Sequence, residues 1–193
     1  RLGDRVTHWI TLNEPAVFTN MGYRYGTHAP GDRLSDRHMT RMVHNILRAH
    51  GKAVEAIRAA SAGPCDVGIA PDTGAFMPGH DDPAYVERVK DYYFEFKAPD
   101  DFWNLAMWMD PIVLGDYPAE ALQMWDEAGI LPDIRDGDMA QINQAIDFIG
   151  VNQYRGWWID EVNGELGFRP VSVDHPHTRF DWVIHPEILY WGP

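Results

Sequence analysis

Short β-branched runs alternate along this chain with longer segments of helical periodicity. Residues 6–12, 66–70 and 148–152 are rich in the β-branched and aromatic side chains that favour strands. Between Ser35 and Ala60 the apolar residues recur mainly at three- and four-residue intervals, which predicts a long amphipathic helix with Ser35 as its N-cap. Strands separated by helices predict an α/β fold with parallel strands.

The remaining predicted elements are shorter. Asn163-Gly164 follows an apolar run and is a strong signal for a type I′ hairpin turn. Three further helices are predicted, the first beginning near Pro83 and passing Tyr93 and Phe96, and the others over residues 118–127 and 139–146. Because no internal repeat or linker is present, residues 1–193 are predicted to be one domain or part of one.

Composition limits the classes of partner. With 16 basic and 29 acidic residues the formal net charge is −13, which argues against a nucleic-acid or anionic-membrane surface and favours a small-molecule partner. No apolar run approaches the roughly 18–20 residues that span a bilayer. The lone Cys65 excludes an internal disulfide framework and fits a reducing compartment, so we expect a cytoplasmic location.

The first strand candidate ends in Asn13-Glu14-Pro15. Pro15 lacks the N–H that a ladder needs and disfavours the helical region for the residue before it, so the strand should stop here with Glu14 extended. Asn13 and Glu14 would then project from the carboxyl end of a strand, where barrel enzymes hold their catalytic groups. The tripeptide alone is more typical of a solvated turn at the end of a strand, and only the surrounding sequence favours a functional site.

That surrounding sequence resembles glycoside hydrolase family 1, the β-glucosidase family. The resemblance rests on Gly-Asp-Arg-Val-Thr-His-Trp-Ile-Thr-Leu-Asn-Glu-Pro at residues 3–15 and Gly-Tyr-Arg-Tyr-Gly-Thr-His-Ala-Pro-Gly at residues 22–31, and it continues in order through residues 44–50, 107–118 and 147–154. It implies a partial (β/α)8 TIM barrel with about strands four to six, their helices and a β-hairpin insertion. Because a complete barrel takes about 250 residues, we expect a central fragment whose partners are the remaining segments of the same barrel.

The resemblance also implies roles for four residues. Retaining glycosidases use two carboxyl groups, one of which acts first as acid and then as base. By resemblance Glu14 is this acid/base, Asn13 binds the sugar's 2-hydroxyl, Tyr154 hydrogen-bonds the nucleophile and Asn152 reaches the aglycone side. The family's nucleophile lies in a Thr-Glu-Asn-Gly motif that does not occur in this sequence. We therefore expect the acid/base half of a β-glucosidase site, a β-glycoside substrate and no cofactor.

Two other functions stay open. A 6-phospho-β-glycosidase of the same family would differ in phosphate-binding residues that lie towards the family's C-terminus, outside the matching segments. The missing nucleophile motif also allows an inactive remnant with a sugar-binding or structural role.

Other chemistry-bearing side chains predict structural roles. His44 and His50 lie on the apolar side of the long helix, which is typical of hydrogen-bonded structural histidines. His175-Pro176-His177 beside Asp174 is a weak metal pair without cysteine or a nearby glutamate, so we predict no metal site. Three tryptophans are predicted to pack in the core or between helices: Trp103, Trp108 and Trp125.

Overall fold

The computed structural model describes residues 2–171 and 174–192, which form two compact units. Unit 1 consists of Arg1–Asp72 and Phe96–Gly150, and unit 2 of Thr73–Glu95 and Val151–Pro193. Compact units of this size also occur within single domains, so one domain over residues 1–193 stays a prediction.

Helices and strands alternate through both units. In chain order the elements are β1 (His8–Asn13), α1 (Pro15–Thr19), a π-helical turn (Asn20–Arg24), α2 (Asp36–Ala60), β2 (Asp66–Ala70), β3 (Ala75–Pro78), α3 (Pro83–Phe94), α4 (Leu105–Val113), α5 (Ala119–Glu127), α6 (Asp138–Ile142), β4 (Phe148–Ile149), β5 (Gly156–Val162), β6 (Glu165–Phe168) and α7 (Ile188–Trp191). Within residues 2–171 and 174–192, no helix combines the length and apolarity that crossing a membrane requires.

Unit 1 is built on a three-stranded sheet in the order β1-β2-β4, in which both pairs of neighbours are parallel. The long helix α2 connects β1 to β2, as a parallel crossover requires. The predicted α/β class is therefore confirmed. The third predicted strand is shorter than expected, because pairing with β2 covers only Phe148 and Ile149 and does not reach Asn152.

Helix α2 follows its predicted pattern closely. Its face of Met39, Val43, Leu47 and Val54 is fully buried, as the helical periodicity predicts. Ser35 occupies the N-cap position, but its hydroxyl contacts His38 Nδ1 at 2.8 Å and makes no capping bond to the backbone. The periodic apolar pattern, more than the cap, accounts for this helix.

Helix α4 was not predicted. Asn104 caps its start by accepting from the Met107 backbone N–H at 3.3 Å, and Pro111 lies inside it. The buried indoles of Trp108 and Trp125 confirm two predicted core positions. Trp103 does not: it is 38% exposed, and its indole N–H donates to the Tyr25 hydroxyl at 3.2 Å.

Unit 2 contains a second three-stranded sheet in the order β3-β5-β6, parallel between β3 and β5 and antiparallel between β5 and β6. The β5–β6 hairpin turns at Asn163 (φ 56°) and Gly164 (φ 86°), the paired left-handed conformation of a type I′ turn, and confirms that prediction. Strand β3 was not among the strands predicted from the sequence, and its Phe76 packs edge-on against Trp157 and Phe168.

Candidate active site

A β-bulge lies just before the Asn-Glu-Pro motif. Ile10 pairs with Gly68 and Asn13 with Ala70, so three residue steps along β1 match two along β2. The extra residue falls at Thr11 and Leu12. Because a one-residue shift of register exchanges the two faces of a strand, the bulge decides the direction in which the end of β1 presents its side chains.

Glu14 is the last residue of the ladder and the first of a helix. Its backbone N–H donates to the Ala70 carbonyl at 2.7 Å, and its carbonyl accepts from Val17 and Phe18 at 3.0 and 3.3 Å. The strand therefore stops where the proline predicts, and α1 begins at Pro15 with no intervening loop.

The predicted extended conformation of Glu14 is wrong. Its backbone is left-handed, with φ 48° and ψ 60°. A direct turn from strand to helix needs a folded backbone at this residue, and Pro15 disfavours the right-handed one, which leaves the left-handed region. A non-glycine residue there carries about 1–3 kcal/mol of strain, which is typical of functional sites.

The turn at Glu14 is held on its helical side as well. Pro15 and Ala16 are buried, and the amide of buried Asn20 donates to the carbonyls of Ala16 (2.9 Å) and Phe102 (3.0 Å). Within this frame Glu14 is half-buried and Asn13 exposed. The carboxylate thus sits at a rigid, partly open position at the carboxyl end of a parallel strand.

Asn152 and Tyr154 lie in unit 2, beyond the end of the short strand β4. The Asn152 carbonyl accepts from the Thr73 backbone N–H at 3.1 Å and from its hydroxyl at 3.2 Å. Tyr154 is 50% exposed, and its ring stacks on Trp182 at 6.0 Å between centroids. An apolar groove lined by Tyr154, Phe180 and Trp182 opens beside it.

The four predicted site residues therefore divide evenly between the units. Asn13 and Glu14 are neighbours in unit 1, and Asn152 and Tyr154 are close in sequence in unit 2. The roles assigned to them stay predictions. Gln153, between the latter two, is held by Thr73, whose hydroxyl donates to its side-chain oxygen at 2.7 Å, and so serves local packing.

Two buried histidines on α2 make contrasting contacts. His44 bridges the Tyr117 hydroxyl (3.0 Å) and the Asp138 carboxylate (3.1 Å), which confirms its predicted structural role. The Arg135 backbone N–H and His44 hold the pKa of Asp138 below its usual value, and burial followed by the charge of Asp138 raises the pKa of Tyr117. His50 instead contacts Thr11 in the bulge at 2.7 Å between Nδ1 and Oγ1. The sequence signals neither of these partnerships, because the partners lie far along the chain.

Metal ligation has no counterpart among residues 2–171 and 174–192, where no group of three or more His, Cys, Asp or Glu side chains converges. His175 packs against the ring of His185 at 4.6 Å between centroids.

A parallel α/β arrangement with a candidate functional residue at a strand's carboxyl end is the arrangement found in (β/α)-barrel enzymes. The sequence matches the model of glycosyl hydrolase family 1 over residues 1–190. The chain belongs to this family, whose members are TIM barrels, and the predicted resemblance is confirmed.

Relatives and solved structures agree with this assignment. The chain is 37% identical to β-glucosidase A of Thermotoga maritima and 36% identical to a 1,4-β-D-glucan glucohydrolase of Thermotoga neapolitana, covering 98% of this chain in each case. The structure of the Thermotoga maritima β-glucosidase in complex with glucoimidazole matches with a TM-score of 0.73 at 37% identity over 98% of this chain and 40% of that one. The chain spans 40% and 42% of the length of the two curated relatives.

Proposed function

We propose that this chain is the central part of a retaining β-glucosidase with a (β/α)8 barrel. In this proposal β1, β2 and β4 are the fourth, fifth and sixth barrel strands, and the β5–β6 hairpin is an insertion. Family membership and relatives named β-glucosidases support the activity. The observation that carries the proposal is the position of Glu14, rigid and half-buried at the carboxyl end of a parallel strand.

Glu14 is the proposed acid/base. Cleavage of a glycosidic bond needs a proton on the departing oxygen, and hydrolysis of the glycosyl-enzyme then needs a base to activate water. One carboxyl group performs both tasks if it stays beside the anomeric carbon through both steps. A glutamate whose backbone is fixed by the ladder and by α1 keeps only side-chain freedom, which suits this double use.

The other three residues bind and orient. Asn13, next to Glu14, would donate to the sugar's 2-hydroxyl, where hydrogen bonds strengthen in the transition state. Tyr154 would hydrogen-bond the nucleophile carboxylate and Asn152 would reach the aglycone. The nucleophile would come from a segment outside this chain, and the partners would be a β-glycoside and the rest of the barrel. No cofactor is needed for this chemistry.

Hydrolysis of phenyl β-D-glucoside by the full-length protein that contains this chain tests the proposal. Glu14→Gln should lower kcat/KM by about 10²–10⁴-fold, the usual contribution of general acid catalysis. Glu55→Gln is the matched control, since it removes the same charge from an exposed position on α2 and should leave kcat/KM unchanged.

The same assay separates the other functions. Turnover of the 6-phosphorylated glucoside with none of the neutral one would identify a 6-phospho-β-glycosidase. Absence of turnover on both, in a folded full-length protein, would favour the inactive remnant and contradict the proposal.

A further inference from the structure

The Thr11 hydroxyl joins three elements of unit 1 at the bulge. Its oxygen lies 2.7 Å from His50 Nδ1 on α2 and 3.1 Å from the Gly68 carbonyl oxygen on β2. Thr11 itself is on β1, three residues before Glu14. A hydrogen-bonded chain therefore runs from the helix through the bulged strand to its neighbour.

The direction of donation in this chain follows from its members. A carbonyl can only accept, so the Thr11 hydroxyl donates to Gly68. Burial lowers the pKa of His50 to about 4, which leaves its imidazole neutral near pH 7. With the hydroxyl proton committed to Gly68, the His50 Nδ1–H donates to Thr11.

The other ring nitrogen of His50 supports this tautomer. His50 Nε2 is buried and has no hydrogen-bond partner in the described part of the chain. Carrying the ring proton on Nε2 would bury an unpaired N–H, whereas carrying it on Nδ1 gives the proton an acceptor. His50 is thus a fixed donor aimed at the bulge.

Helix α2 is packed closely against α6 at this point. The next residue, Gly51, packs so closely on α6 that an added Cβ would overlap the Gln141 carbonyl oxygen. Because this packing holds α2 against α6, a slip of β1 would break the contact between His50 and Thr11. The contact therefore fixes the strand in one position relative to β2.

This position matters because a bulge locally disrupts the ladder and is weakly defined by backbone pairing alone. Without the bulge, Leu12 rather than Asn13 would lie opposite Ala70, and the side chains beyond it would exchange faces. The Thr11 hydroxyl stabilises the bulge by donating to the Gly68 carbonyl on the neighbouring strand. The direction of the Glu14 carboxylate depends on that bulge being kept.

We propose that His50 is a positioning residue that acts through Thr11 to maintain the β1 bulge and thereby aims Glu14 at the glycosidic oxygen. This inference rests on the proposed acid/base role of Glu14. It assigns a task in catalysis to a histidine whose sequence context indicates only packing.

The test compares two substrates of the full-length protein, 2,4-dinitrophenyl and phenyl β-D-glucoside. The acidic dinitrophenol leaves without protonation, whereas phenol needs a correctly placed acid. Thr11→Val and His50→Leu should lower kcat/KM on the phenyl glucoside by about tenfold or more, as displacements of about 1 Å do, with little change on the dinitrophenyl glucoside. Thr11→Ser and His50→Asn, which keep a hydroxyl and a donor, should restore most of the loss.

His44→Leu is the matched control, because it removes a second buried histidine of α2 whose partners are Tyr117 and Asp138. It should lower the unfolding midpoint without changing the ratio of the two kcat/KM values. Thr11→Val alters only one hydroxyl of a half-buried, nearly isosteric side chain, so it tests the inference even if His50→Leu fails to fold.

Two results distinguish the possible failures. The ratio is kcat/KM on the dinitrophenyl glucoside divided by kcat/KM on the phenyl glucoside. If Glu14→Gln raises this ratio but Thr11→Val and His50→Leu leave it unchanged, the positioning role is wrong and the acid/base role stands. If Glu14→Gln itself leaves the ratio unchanged, the proposed function is wrong.

Discussion

The predicted site residues that follow β1 and those that follow β4 differ in how their backbone is held and in how exposed they are. At the end of β1 the chain passes through a bulge into a strained turn and directly into α1, with hydrogen bonds on both sides of Glu14. Beyond the two-residue β4, the Asn152 carbonyl accepts from Thr73, and Tyr154 is half exposed. A general acid must lie within hydrogen-bond reach of the atom that it protonates, so the fixed backbone at Glu14 suits the acid/base role proposed for it.

The largest expected effect compares the chemistry at the two ends. Glu14→Gln should lower kcat/KM on phenyl β-D-glucoside by about 10²–10⁴-fold, because it would remove the proposed proton donor. In the role proposed for Tyr154, Tyr154→Phe would remove one hydrogen bond to a charged partner, worth about 1.5–3 kcal/mol, and should lower kcat/KM by about ten- to a hundredfold. Steady-state kinetics of the two variants checks this order, and a larger loss for Tyr154→Phe would reverse the comparison.

Close packing of glycines compares the stability of the two units. In Gly51→Ala the new methyl group meets the backbone carbonyl of Gln141, which cannot turn away, so we expect a loss of about 3 kcal/mol. In Gly156→Ala it meets the Cγ2 methyl group of Ile188, a side-chain atom that can move by a small shift of the short helix α7, so we expect a smaller loss of about 2 kcal/mol. Urea unfolding of both variants measures the difference. Equal losses would show that unit 2 is packed as rigidly as unit 1.

A pair of aspartates compares electrostatic stabilisation. Buried Asp138 accepts from the Arg135 backbone N–H at 3.0 Å and pairs with Arg48 at 2.8 Å. Asp160 pairs with Arg169 through two contacts of 2.7 and 2.8 Å, with both side chains more than a third exposed. We expect Asp138→Asn to cost about 2 kcal/mol at pH 7 and Asp160→Asn about 0.5 kcal/mol.

The loss of stability at low pH should be larger for the contribution of Asp138 than for that of Asp160. Hydrogen bonds to the Arg135 N–H and to Arg169 lower the pKa of Asp138 and Asp160, respectively, below the usual value of about 3.9. Each carboxylate therefore stabilises the fold above about pH 4, and that stabilisation is lost as the pH falls through the lowered pKa. Urea midpoints between pH 2 and 7 should converge with wild type at low pH for both variants. A constant offset would contradict the linkage.

The smallest effect concerns backbone strain at two left-handed residues, Glu14 (φ 48°) and Asn163 (φ 56°). Asparagine adopts this conformation at little cost, whereas glutamate is strained in it. The free energy of unfolding of Glu14→Gly should therefore exceed that of Glu14→Ala by about 1 kcal/mol. At Asn163 the difference between the glycine and alanine variants should be similar or larger, because alanine is strained in a left-handed conformation. The decisive comparison is the free energy of unfolding of each glycine variant relative to wild type. Glycine should be stabilising at position 14 and nearly neutral at position 163. Thermal unfolding gives both values.

The local patterns of the sequence predicted a good part of this fold. The period of apolar residues located α2, and Asn163-Gly164 located the hairpin turn. Helix α4 was not predicted, because Pro111 interrupts the segment and its residues are apolar on most sides, so no helical periodicity of apolar residues is visible in the sequence. Strand β3 escaped because its pairing with β5 joins residues about 80 positions apart, and short strands in glycine-rich segments carry little local signal.

The sequence by itself determined the alternation of strands and helices, the stop at Pro15 and, through its motifs, the family and the candidate acid/base Glu14. Only the tertiary structure decided that Glu14 is left-handed, that a bulge precedes it, and that Thr11 meets both Gly68 and His50. Local propensity and periodicity act between neighbours in the chain, whereas register and burial depend on pairings between distant residues. Register decides the direction in which a carboxylate at the end of a strand points, because a shift by one residue exchanges the faces of the strand.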